Sequence, residues 1–380
     1  MTGMRTVRFS AGLALLVAVG LAGCSASAPQ ATSTSFSTWN TAVANRATSA
    51  ARWVAVGDSI TEGQGASSRS HRWLTLTLAK LRRHDPTTGV PGGIGYLPAE
   101  YAVYGPDSTW GNWVGDATGT DQFVTTIPDL GYRAVGMDAG ATRTYSFTGT
   151  GLDVWWARYP GSGAFTYSID NGTPRRVKTD GAASAGTVTE IDGLDAGRHT
   201  VTVSAIAAFD LEGFTVFDGD RHKGISLFDS AHSGSTVATF LADEKGYLSA
   251  MRRAAPDLVT ITLGENDAAH LTPAQLRPQY LKLIRALKAL PTKPSILIIG
   301  EYQAGPAMTA SMSSPWKSYL GVIKGVAKTT NTGYMSLYDS LPVATTSGKG
   351  YFSTDGLHPN DKGQRKIAGL VYDELLRNSN

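Results

Sequence analysis

The strongest constraint on this chain is a series of short, mostly apolar, uncharged runs that alternate with amphipathic segments. Leu258-Val259-Thr260-Ile261-Thr262-Leu263 stops at Gly264, and Ser295-Ile296-Leu297-Ile298-Ile299 stops at Gly300. Both runs are rich in β-branched and aliphatic residues and carry no charge, so each reads as a buried strand. Trp53-Val54-Ala55-Val56 before Gly57, Ile225-Ser226-Leu227-Phe228 and residues 333–337 have the same character. Helical patterns cover residues 72–83, 237–251, 273–290 (after the cap Thr272), 315–329 and 361–376. Strands alternating with helices predict an α/β fold with a mainly parallel sheet and helices on both faces.

Residues 132–218 break this rhythm. Thr144-Tyr145-Ser146-Phe147, Leu152-Asp153-Val154-Trp155-Trp156 and Phe165-Thr166-Tyr167-Ser168-Ile169 alternate with a period of two, and Asp170-Asn171-Gly172 supplies a hairpin turn. His199-Thr200-Val201-Thr202-Val203 and Phe214-Thr215-Val216-Phe217 continue the pattern between Gly-rich turns. Short strands so spaced predict a small β-sandwich. It is inserted into one α/β domain, whose first part is 51–131 and second part 219–380. Residues 84–131 hold Gly, Pro, Trp and Tyr without a clean period and read as long loops.

Residues 1–24 read as an export signal. Arg5 and Arg8 precede an apolar stretch over 11–22 that is short for a membrane span. The segment closes on Leu21-Ala22-Gly23 before Cys24, the single cysteine of the 380 residues. This resembles a bacterial lipoprotein signal. The resemblance implies acylation of Cys24 and a lipid anchor on the outer face of the cytoplasmic membrane. The alternative is ordinary secretion, with cleavage near Ala26-Ser27-Ala28. Residues 25–50 read as a tether, Ser/Ala/Thr-rich over 25–37 and compatible with a short helix over 38–50. A lone cysteine excludes an internal disulfide framework and a cysteine-based zinc site. Lys plus Arg number 34 against 31 Asp plus Glu, and without Arg5 and Arg8 the balance is 32 to 31. With no basic run, nucleic acid is not an expected partner.

Three segments fall at the C-terminal ends of expected strands, where open parallel sheets hold their sites. In Gly57-Asp58-Ser59, a serine between strand and helix either caps the helix or turns its hydroxyl into a cleft. In Gly264-Glu265-Asn266-Asp267, the Asn266 amide either caps a turn or donates to a developing oxyanion. In Asp355-Gly356-Leu357-His358-Pro359, a carboxylate three residues before an imidazole either ends a loop or orients a general base. Histidines 71, 84, 199, 222, 232 and 270 make no ligand-spaced pair, so no metal is expected. His232 and His270 lie near two of the motifs and are candidates for the pocket wall.

Taken together and in this order, the three motifs resemble those of the SGNH (GDSL-like) hydrolase superfamily, over residues 51–83 and about 222–378. The resemblance implies a flavodoxin-like three-layer α/β/α core and no cofactor. It makes Ser59 the nucleophile, His358 the general base and Asp355 its orienting carboxylate. Asp58 and Gly264 support the site. The Ser59 N–H, the Asn266 side chain and a backbone glycine N–H would form the oxyanion hole. The best match for that glycine is Gly234, although Asp229 and Ala231 stand where the family often has Asn and Gly. Residues 144–217 resemble, in pattern, sandwich modules of bacterial SGNH carbohydrate esterases. Such a module either binds glycan or walls the cleft. Tyr96, Tyr101, Tyr104, Trp110 and Trp113 either stack on sugar or close a small core, and one or two are expected to touch substrate.

The resulting expectation is a serine esterase that removes short acyl groups, acetyl above all, from a glycan or other acylated substrate. A lipase or thioesterase on longer chains and an acyltransferase would use the same residues. A non-catalytic glycan-binding protein has no chemical reason to keep all four of Ser59, Asn266, Asp355 and His358.

Overall fold

The computed structural model describes residues 34–102, 114–118, 121–124 and 126–378. The chain enters the fold through α1 (Ser37–Ala44) and β1 (Ala51–Gly57), then α2 (Ser59–Glu62), α3 (Trp73–His84) and β2 (Gly95–Pro98). Short strands follow: β3 (Val114–Thr118), β4 (Asp121–Val124), β5 (Ala134–Met137), β6 (Thr142–Gly149), β7 (Gly151–Arg158), β8 (Ala164–Ile169), β9 (Arg175–Lys178), β10 (Ser184–Ile191), β11 (Gly197–Ala207) and β12 (Phe209–Phe217). The α/β part resumes with β13 (Ile225–Ala231), α4 (Glu244–Ala254), β14 (Leu258–Thr262), α5 (Glu265–Ala268), α6 (Pro273–Lys288) and β15 (Ser295–Gly300). It closes with α7 (Pro306–Thr309), α8 (Trp316–Thr330), β16 (Gly333–Ser336) and α9 (Asp361–Arg377).

Strands β13, β1, β14, β15 and β16 are neighbours in that order and all parallel. In chain order this is the 2-1-3-4-5 arrangement, with β1 at the switch point where ligands of such sheets bind. Alternate residues of each strand feed opposite layers. Val54, Val56, Val259, Ile261, Ile296 and Ile298 pack under α4, α6 and α8. Trp53, Ala55, Leu258, Leu297 and Ile299 pack under α1, α3 and α9. Both faces are covered, which is why these strands are rich in aliphatic and β-branched residues, with Thr260 and Thr262 buried among them.

The inserted strands form a sandwich that shares a sheet with the core. Strand β2 pairs parallel with β13 and antiparallel with β12, and β7 and β10 continue the sheet outward. A second antiparallel sheet, β3-β6-β11-β8-β9, stacks on this extension. Phe165 on Phe209 and Tyr145 on Phe214, with ring centroids 4.7 and 4.4 Å apart, join the two sheets. Strand β7 is buried on both faces: Leu152, Val154 and Trp156 enter the sandwich core, while Trp155 enters the α/β core. Asp170 and Asn171, both at positive φ, make the expected hairpin turn between β8 and β9.

Two expectations need correction. Residues 84–131 are not loops throughout: β2 lies inside the central sheet and is too short to show a period. Gly95 permits that strand, because a Cβ there would sit 2.1 Å from the Leu227 carbonyl oxygen. Residues 34–44, read as part of a tether, are packed instead, with Phe36 and Trp39 buried beside β15 and β16. Cys24 and the rest of 1–33 lie outside the described residues. No helix of the described residues is long and apolar enough to cross a membrane.

Candidate active site

Strand β1 ends on Gly57, and the chain turns at once into α2. A Cβ at Gly57 would lie 2.1 Å from Thr61 Oγ1, so only glycine fits the turn. Asp58, not Ser59, is the cap: its Oδ1 accepts the Ile60 N–H at 2.9 Å. Ser59 is therefore the first helical residue, and its hydroxyl is not spent on capping. Its Oγ lies 2.9 Å from His358 Nε2.

His358 is held from the other side. Its Nδ1 lies 2.7 Å from Asp355 Oδ2, while Asp355 Oδ1 accepts the N–H groups of Leu357 and His358 at 2.9 and 3.0 Å. The carboxylate thus makes the turn that presents the imidazole it touches. Burial raises the Asp355 carboxyl, but the bonds from the His358 ring and these two N–H groups outweigh it and hold it below its usual range. The Tyr302 hydroxyl donates to the Leu357 carbonyl at 2.7 Å. Gly65, at φ +89°, lets the loop after α2 press on His358; a Cβ there would meet the His358 Cβ at 3.0 Å and the Pro359 oxygen at 2.7 Å. The structure thereby brings Ser59, His358 and Asp355 together in one hydrogen-bonded chain.

Asn266 follows Gly264, whose φ of +131° no other residue adopts readily and whose missing side chain leaves room for Ile323 and Trp316. The Asn266 Nδ2 donates to Asp58 Oδ2 at 3.2 Å and to the Ser235 carbonyl at 3.1 Å. Both amide hydrogens have partners in the resting site. Gly234, at φ +79°, is exposed on the loop after β13, and its N–H has no partner among the described residues. Ser59, Gly234 and Asn266 are thus carried by three adjacent parallel strands, at their C-terminal ends.

Several residues that the motifs do not include complete the site. Glu62 of α2 receives the Ser233 N–H on Oε2 at 2.8 Å and Arg133 on Oε1 at 3.2 Å. Arg133 also pairs with Asp229, and Asp229 with Arg72, all of them buried. Burial raises the Glu62 carboxyl to about 7 against the pull of Arg133. Beneath Asp58 lie Glu265 and Glu301, each directly after the glycine that ends a buried strand. Gly-Glu after an apolar run was a signal available in the sequence, since a carboxyl at that place must lie at the sheet's ligand edge.

His232 is half-buried, and burial followed by the Arg133 charge lowers its pKa to about 4. His270 is exposed at the end of α5. Tyr96 is a core residue rather than a sugar platform: it is 1% exposed and its hydroxyl donates to the Glu212 carbonyl at 3.0 Å. The side chains of Tyr101, Tyr104, Trp110 and Trp113 lie outside the described residues. Among the described residues no group of His, Cys, Asp and Glu is arranged to hold a metal ion.

The GDSL-like Lipase/Acylhydrolase family matches residues 219–366, a stretch that holds Gly234, Asn266, Asp355 and His358. Ser59 lies on the other side of the insertion. No curated protein matches the sequence. Among solved structures, a peptidoglycan O-acetylesterase aligns with a TM-score of 0.67 at 16% identity, covering 89% of this chain and 95% of that one. This shows a shared fold along nearly the whole length of both. A family two carbohydrate esterase from Cellvibrio japonicus aligns at a TM-score of 0.31 and 12% identity, over 69% and 95%, and carries no weight. Residues 219–366 therefore form a GDSL-like Lipase/Acylhydrolase family domain, within a fold that the chain shares with that esterase structure.

Proposed function

We propose that this chain is an exported esterase that removes acetyl groups from a glycan, with Ser59 as nucleophile, His358 as general base and Asp355 as its orienting partner. The reading rests on one observation: Ser59 Oγ lies 2.9 Å from His358 Nε2, while Nδ1 of the same ring lies 2.7 Å from Asp355. That arrangement moves a proton from the hydroxyl to the ring as Oγ bonds to the ester carbonyl carbon. Asp355, held ionised, stabilises the imidazolium that results. The N–H groups of Ser59 and Gly234 and the Asn266 amide receive the negative charge on the carbonyl oxygen. Asn266 does so by giving up part of its bond to the Ser235 carbonyl. Each such donor contributes about 3 kcal/mol to the transition state. His358 returns the proton to the leaving alcohol, and water then releases acetate from Ser59 by the same route in reverse.

Acetyl and glycan are the more specific part of this reading. They are supported by the inserted sandwich, which shares a sheet with the core, and by the fold shared with a peptidoglycan O-acetylesterase. The lipoprotein-like Leu21-Ala22-Gly23-Cys24 supports placement at a cell surface. The test uses protein lacking residues 1–24 on p-nitrophenyl acetate, butyrate and octanoate, beside Ser59→Ala. The expected result is fastest turnover of acetate, with kcat lower by roughly 10⁴-fold or more in the variant. Acetate release from O-acetylated peptidoglycan and xylan then tests the glycan. Equal rates at all chain lengths would overturn the acetyl assignment, and an active Ser59→Ala would overturn the nucleophile.

A further inference from the structure

Glu301 follows the last residue of β15 and is wholly buried. Its Oε2 accepts the Glu265 backbone N–H at 3.0 Å. Its Oε1 is equally buried and receives no N–H or hydroxyl. The Glu301 carboxyl as a whole lies in hydrogen-bonding contact with the carboxyl of Asp58. Asp58 is itself 1% exposed, with one oxygen taken by the Ile60 N–H and the other by the Asn266 amide.

Two carboxyls in such contact cannot both be anions; one proton must lie between them. The hydrogen bonds around the pair decide where. Both oxygens of Asp58 already accept N–H groups, which suits a carboxylate, whereas Glu301 has one oxygen with no donor. Glu301 is therefore the acid and Asp58 the acceptor. The surroundings agree. The groups that face this pair are Glu265 and Asp267 of α5, Tyr280 of α6, and Tyr302, all acids or phenols that bring no positive charge. Burial first, and then Asp58 and Glu265, hold the Glu301 carboxyl well above its usual range.

We propose that Glu301 is a positioning residue that works as a neutral acid: its O–H donates to Asp58 and so fixes both the turn carrying Ser59 and the Asn266 amide. This rests on the reading of Ser59 as nucleophile and Asn266 as oxyanion donor. Without the Glu301 proton, Asp58 loses its third donor and meets a like charge at contact distance. The carboxylate then swings, and Asn266 swings with it. Glutamine at this position can donate one N–H to Asp58 at any pH. Leucine cannot donate at all.

The experiment compares Glu301→Gln and Glu301→Leu with the unmodified protein on p-nitrophenyl acetate across neutral to alkaline pH, with Ser59→Ala as blank. Glu301→Gln is expected within roughly 3-fold of the unmodified kcat at neutral pH. The unmodified protein is expected to decline reversibly at alkaline pH, and Glu301→Gln is expected to lose that decline. Glu301→Leu is expected to lose roughly 10²-fold in kcat with little change in KM, the scale of one oxyanion donor. Infrared difference spectra of the unmodified protein against Glu301→Gln at neutral pH should show a protonated-carboxyl stretch. An ionised carboxylate band there, a Glu301→Gln variant as impaired as Glu301→Leu, or an alkaline decline that survives in Glu301→Gln would each overturn the proposal. If Glu301→Leu fails to fold, the glutamine profile and the spectrum decide. Full activity in Ser59→Ala would instead sink the underlying reading. An inactive Ser59→Ala beside a fully active, folded Glu301→Leu would sink only the role of Glu301.

Discussion

At the scale of single residues, Glu62 joins what the motifs keep apart. It sits three residues after Ser59, yet its carboxylate grips the Ser233 N–H next to Gly234 and the guanidinium of Arg133 at the mouth of the insertion. Two backbone donors of the proposed oxyanion hole, the N–H groups of Ser59 and Gly234, are spaced by this side chain. Glu62→Ala removes that brace, and misplacement of a donor by about 1 Å costs roughly 10²-fold in rate. We expect kcat on p-nitrophenyl acetate to fall roughly 10- to 100-fold with KM nearly unchanged, and stability to fall by about 3 kcal/mol as Arg133 loses a buried partner. Glu62→Gln keeps an acceptor for Ser233 and should lose less of both. Equal kcat in all three proteins would remove Glu62 from the site's support.

At the scale of elements, two segments are more integral than their sequences suggest. Helix α1 has a weak amphipathic pattern, but Trp39 within it is 1% exposed and its backbone N–H donates to Ser295 Oγ at 3.1 Å. Trp39→Ala should destabilise the protein by about 3–5 kcal/mol, read by denaturant unfolding, while kcat stays unchanged because Trp39 packs at Ser295, the N-terminal end of β15, away from the C-terminal strand ends that carry the site. The second segment is the insertion. Strands β7, β10 and β12 extend the central sheet through β2, and Trp155 of β7 packs against Tyr96 and Phe228 of the α/β core. Excising residues 132–218 should therefore yield insoluble or unfolded chain. A soluble, cooperatively folding deletion protein would show that the sandwich is an independent module.

At the scale of the whole molecule, the uncommon feature is the quantity of buried acid. Burial raises Glu62 to about 7 and Asp153 and Asp267 to about 6, and raises Asp58, Asp129, Glu212, Glu265 and Glu301 as well. In the unfolded chain such carboxyls ionise near 4. Between the unfolded and folded values the native state holds more protons, so stability falls as pH rises through that window. His232 acts oppositely: lowered to about 4, it costs stability as pH falls from its unfolded value of about 6.5. Asp229 and Asp355, held below the usual range, lose their contribution only in stronger acid. The raised acids outnumber these, so Tm should be highest in mildly acidic buffer and decline from about pH 5.5 to 8. A scanning-calorimetry series at fixed ionic strength checks this. A Tm that climbs over that interval would mean the buried acids are compensated by groups other than those described.

Local chemistry is what the sequence by itself determined. Short, uncharged, largely aliphatic runs had to be buried strands, glycine had to stand where strand turned into helix, and Asp355 and His358 were close enough in the chain for one turn to join them. From these follow the α/β architecture, the inserted antiparallel region and the residues of the candidate site. Other features depend on distance in space rather than along the chain, and only the tertiary structure decided them. The sandwich shares a sheet with the core because β2, four residues long, bridges β12 and β13. Residues 34–44 are part of the fold because Phe36 and Trp39 find an apolar hollow beside strands that begin at Ser295 and Gly333, far along the chain. Glu62 meets Ser233, and Glu301 meets Asp58, across gaps that no periodicity can encode. A charged side chain reads as surface in a sequence. Only the fold reveals that these carboxyls are buried, Glu62 on the helix that begins with Ser59 and Glu301 against Asp58.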